Sequence, residues 1–121
     1  MAGRTKIVVA RVYPKPARLQ EVIDVYASIM PLVHQEPGCE LFALHTDGET
    51  FFLVEKWATP ADLPAHAAGP AYAQIRAGIS DLVDHPADVW VLDNLPFGEA
   101  AKGTIVSAPY AITNRHAEDM A

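Results

Sequence analysis

Residues 39–58 read Cys-Glu-Leu-Phe-Ala-Leu-His-Thr-Asp-Gly-Glu-Thr-Phe-Phe-Leu-Val-Glu-Lys-Trp-Ala, and this stretch decides the fold. Asp47-Gly48 is a strong hairpin-turn signal, and Glu49 could lengthen the loop. The turn makes two strands of residues 39–46 and 50–58. Phe51, Phe52, Leu53 and Val54 are apolar at every position, which marks a strand buried on both faces. Upstream, Glu36-Pro37-Gly38 closes the preceding element: the residue before proline avoids helical angles, and glycine permits the turn. That element, residues 17–36, reads as a helix, with Leu19, Val22, Ile23, Tyr26, Met30 and Val33 at the helical period. Pro31 removes a backbone donor and should kink or divide it. Residues 5–14 form a strand that is again apolar on both faces, ended by Pro14 and Pro16. Downstream, Thr59 as N-cap and Pro60 at the first position start a short helix to residue 68. Gly69-Pro70 breaks it. Residues 71–83 are a second helical piece, with Tyr72, Ile75, Ile79, Leu82 and Val83 on one face. Residues 88–95 are the last strand.

The order is β-α-β-β-α-β, the ferredoxin-like plan of an α+β domain with helices on one face of an antiparallel sheet. The other face would be bare, yet the strands are apolar on both sides. A bare apolar sheet is rarely tolerated in a monomer. The expected solution is a homodimer, sheet against sheet. Residues 1–96 make this domain. Residues 97–121 are an extension, in which 104–112 could form an edge strand packing on the partner subunit or across a pocket mouth; Pro109 would confine it to an edge. Residues 115–121 read as a solvated tail.

Half of the 121 residues are apolar and 20% are charged, which excludes a wholly disordered chain. No apolar run approaches the ~18 residues of a membrane span. Nine Lys and Arg against fifteen Asp and Glu give a net charge of −6, with no basic stripe, so nucleic acid is a poor partner. One cysteine, Cys39, and no signal peptide make the cytoplasm the expected location. Cys39 follows Pro-Gly at a strand start and reads as a small buried residue rather than a nucleophile.

The five histidines lack chelating spacing, and no phosphate loop or serine elbow is present. The segment 57–76 stands out. Trp57 ends a strand, His66 lies near the end of the short helix, and Tyr72 and Arg76 are one helical turn apart. An indole, an imidazole, a phenol and a guanidinium could converge there into a small-molecule pocket. Spacing alone favours the plainer reading, in which Trp57 and Tyr72 are core and His66 and Arg76 are surface. His45 could point into the same cavity, where it would bind substrate, or into a dimer interface.

Several pieces resemble the antibiotic biosynthesis monooxygenase family, which includes quinol monooxygenases. They are Ile7-Val8-Val9-Ala10-Arg11-Val12, Glu36-Pro37-Gly38-Cys39, Phe52-Leu53-Val54-Glu55-Lys56-Trp57, His66-Ala67-Ala68-Gly69-Pro70-Ala71-Tyr72 and the strand 88–95. The resemblance covers about residues 5–95, and it lies in the order and spacing of the pieces. It implies a dimeric α+β barrel of two ferredoxin-like subunits. It also implies oxygenation of a phenolic or hydroquinone substrate by O₂ as co-substrate, with no flavin, haem or metal cofactor. His66 would then be the base, Arg76 and Tyr72 would stabilise the oxyanion, and Trp57 would hold the ring. Haem-degrading relatives carry asparagine, tryptophan and histidine where this chain has Ala10, His66 and Arg76, which disfavours haem degradation. Other relatives isomerise or bind small phosphorylated sugars, a role for which Arg76 and Lys56 could supply cations. A non-catalytic ligand-binding protein is a third reading of the same fold.

Overall fold

In the computed structural model, which describes residues 4–106, the elements run β1 (Lys6–Pro14), α1 (Leu19–His34), β2 (Cys39–Thr46), β3 (Phe51–Trp57), α2 (Asp62–Ala67), α3 (Pro70–Ile79) and β4 (Val83–Asp93). The four strands form one antiparallel sheet in the order β2-β3-β1-β4, the ferredoxin-like arrangement. The second helical region is two helices, α2 and α3, divided at Gly69.

Register decides which side chains face the helices. Val8 pairs with Glu55 and Val91, and Ala10 pairs with Leu53 and Val89, so these residues share one face. On that face Val8, Ala10, Val12, Phe51, Leu53 and Trp57 pack against Val22, Tyr26, Ile29 and Val33 of α1 and Ala71 and Ile75 of α3. The opposite face carries no helix. It presents Val9, Phe52 and Val54 in the centre and the exposed Trp90 and Leu92 on β4.

Several boundaries differ from the sequence expectation, each for a local reason. Helix α1 starts at Leu19, because Ala17 adopts a left-handed φ of 67°. It runs undivided through Pro31 to His34. The hairpin loop spans four residues, and the Asp47 carboxylate accepts from the backbone N–H groups of Glu49 and Thr50 at 2.9 and 2.6 Å. Thr59 does not cap α2. Its N–H and hydroxyl both donate to the Asp62 carboxylate, and the helix begins at Asp62. Helix α3 stops at Ile79, and Val83 opens β4 rather than ending a helix. Strand β4 therefore starts five residues before the expected 88. Pro86 is accommodated where the β1–β4 register slips between Arg11 and Tyr13, on an edge strand that needs fewer donors.

The extension folds back after β4. The Thr104 hydroxyl donates to Asn94 Oδ1 at 2.8 Å, and Lys56 Nζ donates to the Ile105 carbonyl at 2.6 Å. Lys56 lies on the helix-free face, so the chain at Ile105 returns to that side of its own sheet. Of the expected strand 104–112, residues 104–106 have no strand conformation, and 107–112 lie outside the described residues, as does the tail 115–121.

Candidate functional site

A cavity of about 350 Å³ lies between the helix-side face of the sheet and the helices. Its floor is apolar: Val8, Ala10 and Val12 of β1, Leu53 of β3, and Val89 and Val91 of β4. Its polar groups are Tyr26 from α1, Glu55 from β3, His66 from α2 and Tyr72 from α3. No Lys or Arg lines it among the described residues. A larger hollow of about 640 Å³ sits by the hairpin loop, but its charged groups, such as Lys15, Glu49 and Asp84, are exposed. The smaller cavity, an apolar space with a few buried polar groups, is the form that binds small molecules.

His66 is only 7% exposed. Its ring lies 4.8 Å from the Trp57 ring centre, 5.4 Å from that of Tyr72 and 5.8 Å from that of Phe42. Nδ1 is 2.6 Å from Glu36 Oε1. A carboxylate can only accept, so Nδ1 carries the proton, and in the neutral imidazole Nε2 is the acceptor. Glu36 reaches His66 because Pro37-Gly38 turns the chain immediately after it. Gly38 has a φ of 82°, and a Cβ there would overlap the Asp62 carboxyl. The turn and the start of α2 are thus in direct contact, which holds the carboxylate against the imidazole.

Glu55 is 6% exposed. Period two places it with Leu53 and Trp57 on the helix side. Trp57 Nε1 donates to Glu55 Oε1 at 2.9 Å. Burial holds the Glu55 carboxyl above the usual carboxylate range; the Trp57 hydrogen bond and the nearby His66 pull it down, and Glu36 pushes it up. Burial, with Glu55 and Tyr72 close by, also raises the Tyr26 hydroxyl well above an ordinary tyrosine. Glu55 Oε2 and His66 Nε2 make no hydrogen bond among the described residues, where no sealed side-chain polar atom lacks a partner. Both residues line the cavity.

Of the residues singled out from sequence, the fold brings His66 and Tyr72 to the cavity. Trp57 is fully buried behind the wall and touches the site through Glu55 and His66. Arg76 is exposed and lies outside the lining, its guanidinium 5.9 Å from the Tyr72 ring centre. His45 is exposed, pairs with Phe52 on the opposite face of the sheet and does not line the cavity. Sequence reasoning missed Tyr26, Glu36 and Glu55. Tyr26 was hidden in the apolar stripe of α1, and Glu36 in the helix-stop signal. Glu55 had a usable signal: strand parity puts a lone carboxylate among inward-facing apolar residues.

Fold and cavity define a ferredoxin-like α+β domain with an apolar small-molecule pocket. Residues 6–78 match the family model for antibiotic biosynthesis monooxygenases. The Rv0793 protein of Mycobacterium tuberculosis, whose name carries a provisional monooxygenase assignment, is 32% identical over 99 residues, covering 78% of this chain and 93% of the relative. The solved structure of Rv0793 aligns with a TM-score of 0.69 at 27% identity, over 80% of this chain and 99% of that one. A family structure from Nitrosomonas europaea gives a TM-score of 0.74 at 20% identity, over 81% and 98% of the two chains, and so speaks to the fold alone. The chain belongs to the antibiotic biosynthesis monooxygenase family.

Proposed function

We propose that this protein is a monooxygenase that oxidises a phenolic or hydroquinone substrate with O₂ directly, without flavin, haem or metal. The observation that carries the reading is the His66–Glu36 pair at the wall of an apolar cavity, with no partner on Nε2 among the described residues. A phenol has a pKa of about 10, like free tyrosine, so a positioned base is needed to ionise it near neutral pH. His66 Nε2 takes the hydroxyl proton, and Glu36 holds the imidazole in the right tautomer and stabilises the charge it gains. The electron-rich anion then passes one electron to O₂. Recombination forms a C–O bond, and loss of water leaves a quinone: one oxygen atom enters the product and the other departs in water. Tyr72 lines the ring site and Arg76 braces Tyr72 from outside. The apolar floor keeps water from the reactive intermediate.

The phospho-sugar reading loses its cations. Arg76 stands outside the cavity, and Lys56 faces the other side of the sheet and holds the Ile105 carbonyl. The position that would supply a haem ligand, Arg76, is likewise outside the lining. We further propose that the working unit is a homodimer in the cytoplasm, formed through the helix-free face. Support comes from Trp90 and Leu92, 49% and 45% exposed on that face.

The test is O₂ consumption with a panel of hydroquinones and phenols in chelator-treated buffer. Turnover by the wild type and a loss of roughly 10²–10⁴-fold in His66→Ala are expected for removal of a general base. Equal turnover by that variant would remove His66 from the chemistry.

A further inference from the structure

We propose that Glu55 is a second functional residue of the cavity, carrying a proton on Oε2 and donating it as a hydrogen bond to an acceptor oxygen of the ligand. The proposal rests on the reading of this cavity as the ligand site. An indole N–H is a donor and never an acceptor. Trp57 Nε1 therefore fixes Glu55 Oε1 as the accepting oxygen of the carboxyl, at 2.9 Å. The carbonyl oxygen of a carboxylic acid is its better acceptor, which puts the proton of a neutral Glu55 on Oε2, the oxygen with no partner among the described residues, on a side chain that lines the cavity.

The surroundings favour the neutral form. Glu55 has no ion-pair partner among the described residues, and its neighbour Lys56 points to the opposite face. The titratable groups near it are Tyr26 from α1, Glu36 after α1, Cys39 at the start of β2 and His66 from α2. Of these only His66 can carry positive charge, and Glu36 already takes its Nδ1. A buried carboxylate without a cation is costly, and a carboxylic acid is not. Burial raises the Glu55 carboxyl accordingly.

The cavity then presents an acceptor, His66 Nε2, and an acid donor, Glu55 Oε2–H, in apolar walls that also carry the hydroxyls of Tyr26 and Tyr72. That set is complementary to a small aromatic molecule with one hydroxyl and one carbonyl oxygen, the hydroxyl on His66 and the carbonyl on Glu55. A ring with a hydroxyl alone leaves the Glu55 donor unpaired in a dry site, which costs affinity.

The experiment is anaerobic calorimetric titration of the full chain with 4-hydroxyacetophenone and with 4-ethylphenol, which lacks the carbonyl. Wild type should prefer the ketone by roughly tenfold, the effect of about 1.4 kcal/mol. Glu55→Gln should keep the preference, because Trp57 holds the amide oxygen and leaves the N–H₂ toward the ligand. Glu55→Leu should lose it. Infrared difference spectra of wild type minus Glu55→Gln should show a neutral-carboxyl C=O band; this arm decides the matter if Glu55→Leu fails to fold. The absence of that band, of the preference in wild type, or of its loss in Glu55→Leu would overturn the assignment. A protein that keeps the Glu55-dependent preference and consumes no O₂ would retain this proposal and lose the oxygenase reading. Turnover without the preference would do the reverse.

Discussion

Trp57 looked like a ring-stacking residue and proves to be a hydrogen-bond donor to a buried carboxyl. Trp57→Phe keeps most of the packing and removes the N–H, so Glu55 Oε1 is left unpaired. A loss of about 1–3 kcal/mol is expected in denaturant unfolding, the usual cost of orphaning a buried polar group. No loss would mean that Oε1 finds another donor. Glu55 also makes stability pH-dependent. Its carboxyl lies higher in the folded than in the unfolded chain, so the folded state pays no ionisation cost below the ordinary carboxylate range. Stability falls as pH rises through the raised folded value. Glu55→Gln should therefore melt a few degrees above wild type at about pH 8 and close to it at about pH 4. An equal offset at both pH values would contradict this. Cys39 is half-buried at the start of β2, where its sequence context suggested full burial. Burial, with Glu36 and Glu55 nearby, pushes its thiol up to about 11, so it remains protonated near neutral pH.

At the scale of elements, the hairpin was legible because Asp47-Gly48 is a local signal. Asp47 then does more than turn the chain: the N–H groups of Thr50 and Glu49 hold its carboxyl down at about 2. The ends of α1, α3 and β4 were less legible. They depend on a left-handed Ala17 and on a register slip opposite Pro86, neither of which follows from hydrophobic period. The contact between the Gly38 turn and α2 was invisible to sequence for the same reason, since it joins segments by approach in space. Gly38→Ala tests it. The left-handed φ alone costs roughly 1–2 kcal/mol, and the new Cβ must also displace Asp62. A fall in melting temperature on the order of 5–10 °C is expected in thermal unfolding. An unchanged melting temperature would show that the turn is not tight.

For the whole molecule, the β-α-β-β-α-β pattern was enough to give the sheet order and the helical face, because each strand's apolar content demanded cover. The cavity's location was only half legible. His66 and Tyr72 could be gathered from one contiguous segment, whereas Tyr26, Glu36 and Glu55 enter from α1, the turn after it and β3. The helix-free face makes its own prediction. Trp90→Asp places a charge on an exposed apolar strand, and should convert a dimer into a monomer in sedimentation velocity at micromolar concentration. A wild type that already sediments as a monomer would end the dimer proposal. In the proposed chemistry Glu36 and His66 act as one unit at the cavity wall. This is tested most directly by O₂ uptake with a hydroquinone that the wild type oxidises, comparing Glu36→Gln, which keeps the shape and removes the carboxylate. A fall of roughly 10²-fold or more, with substrate affinity little changed, is expected; a rate equal to wild type would separate Glu36 from the chemistry.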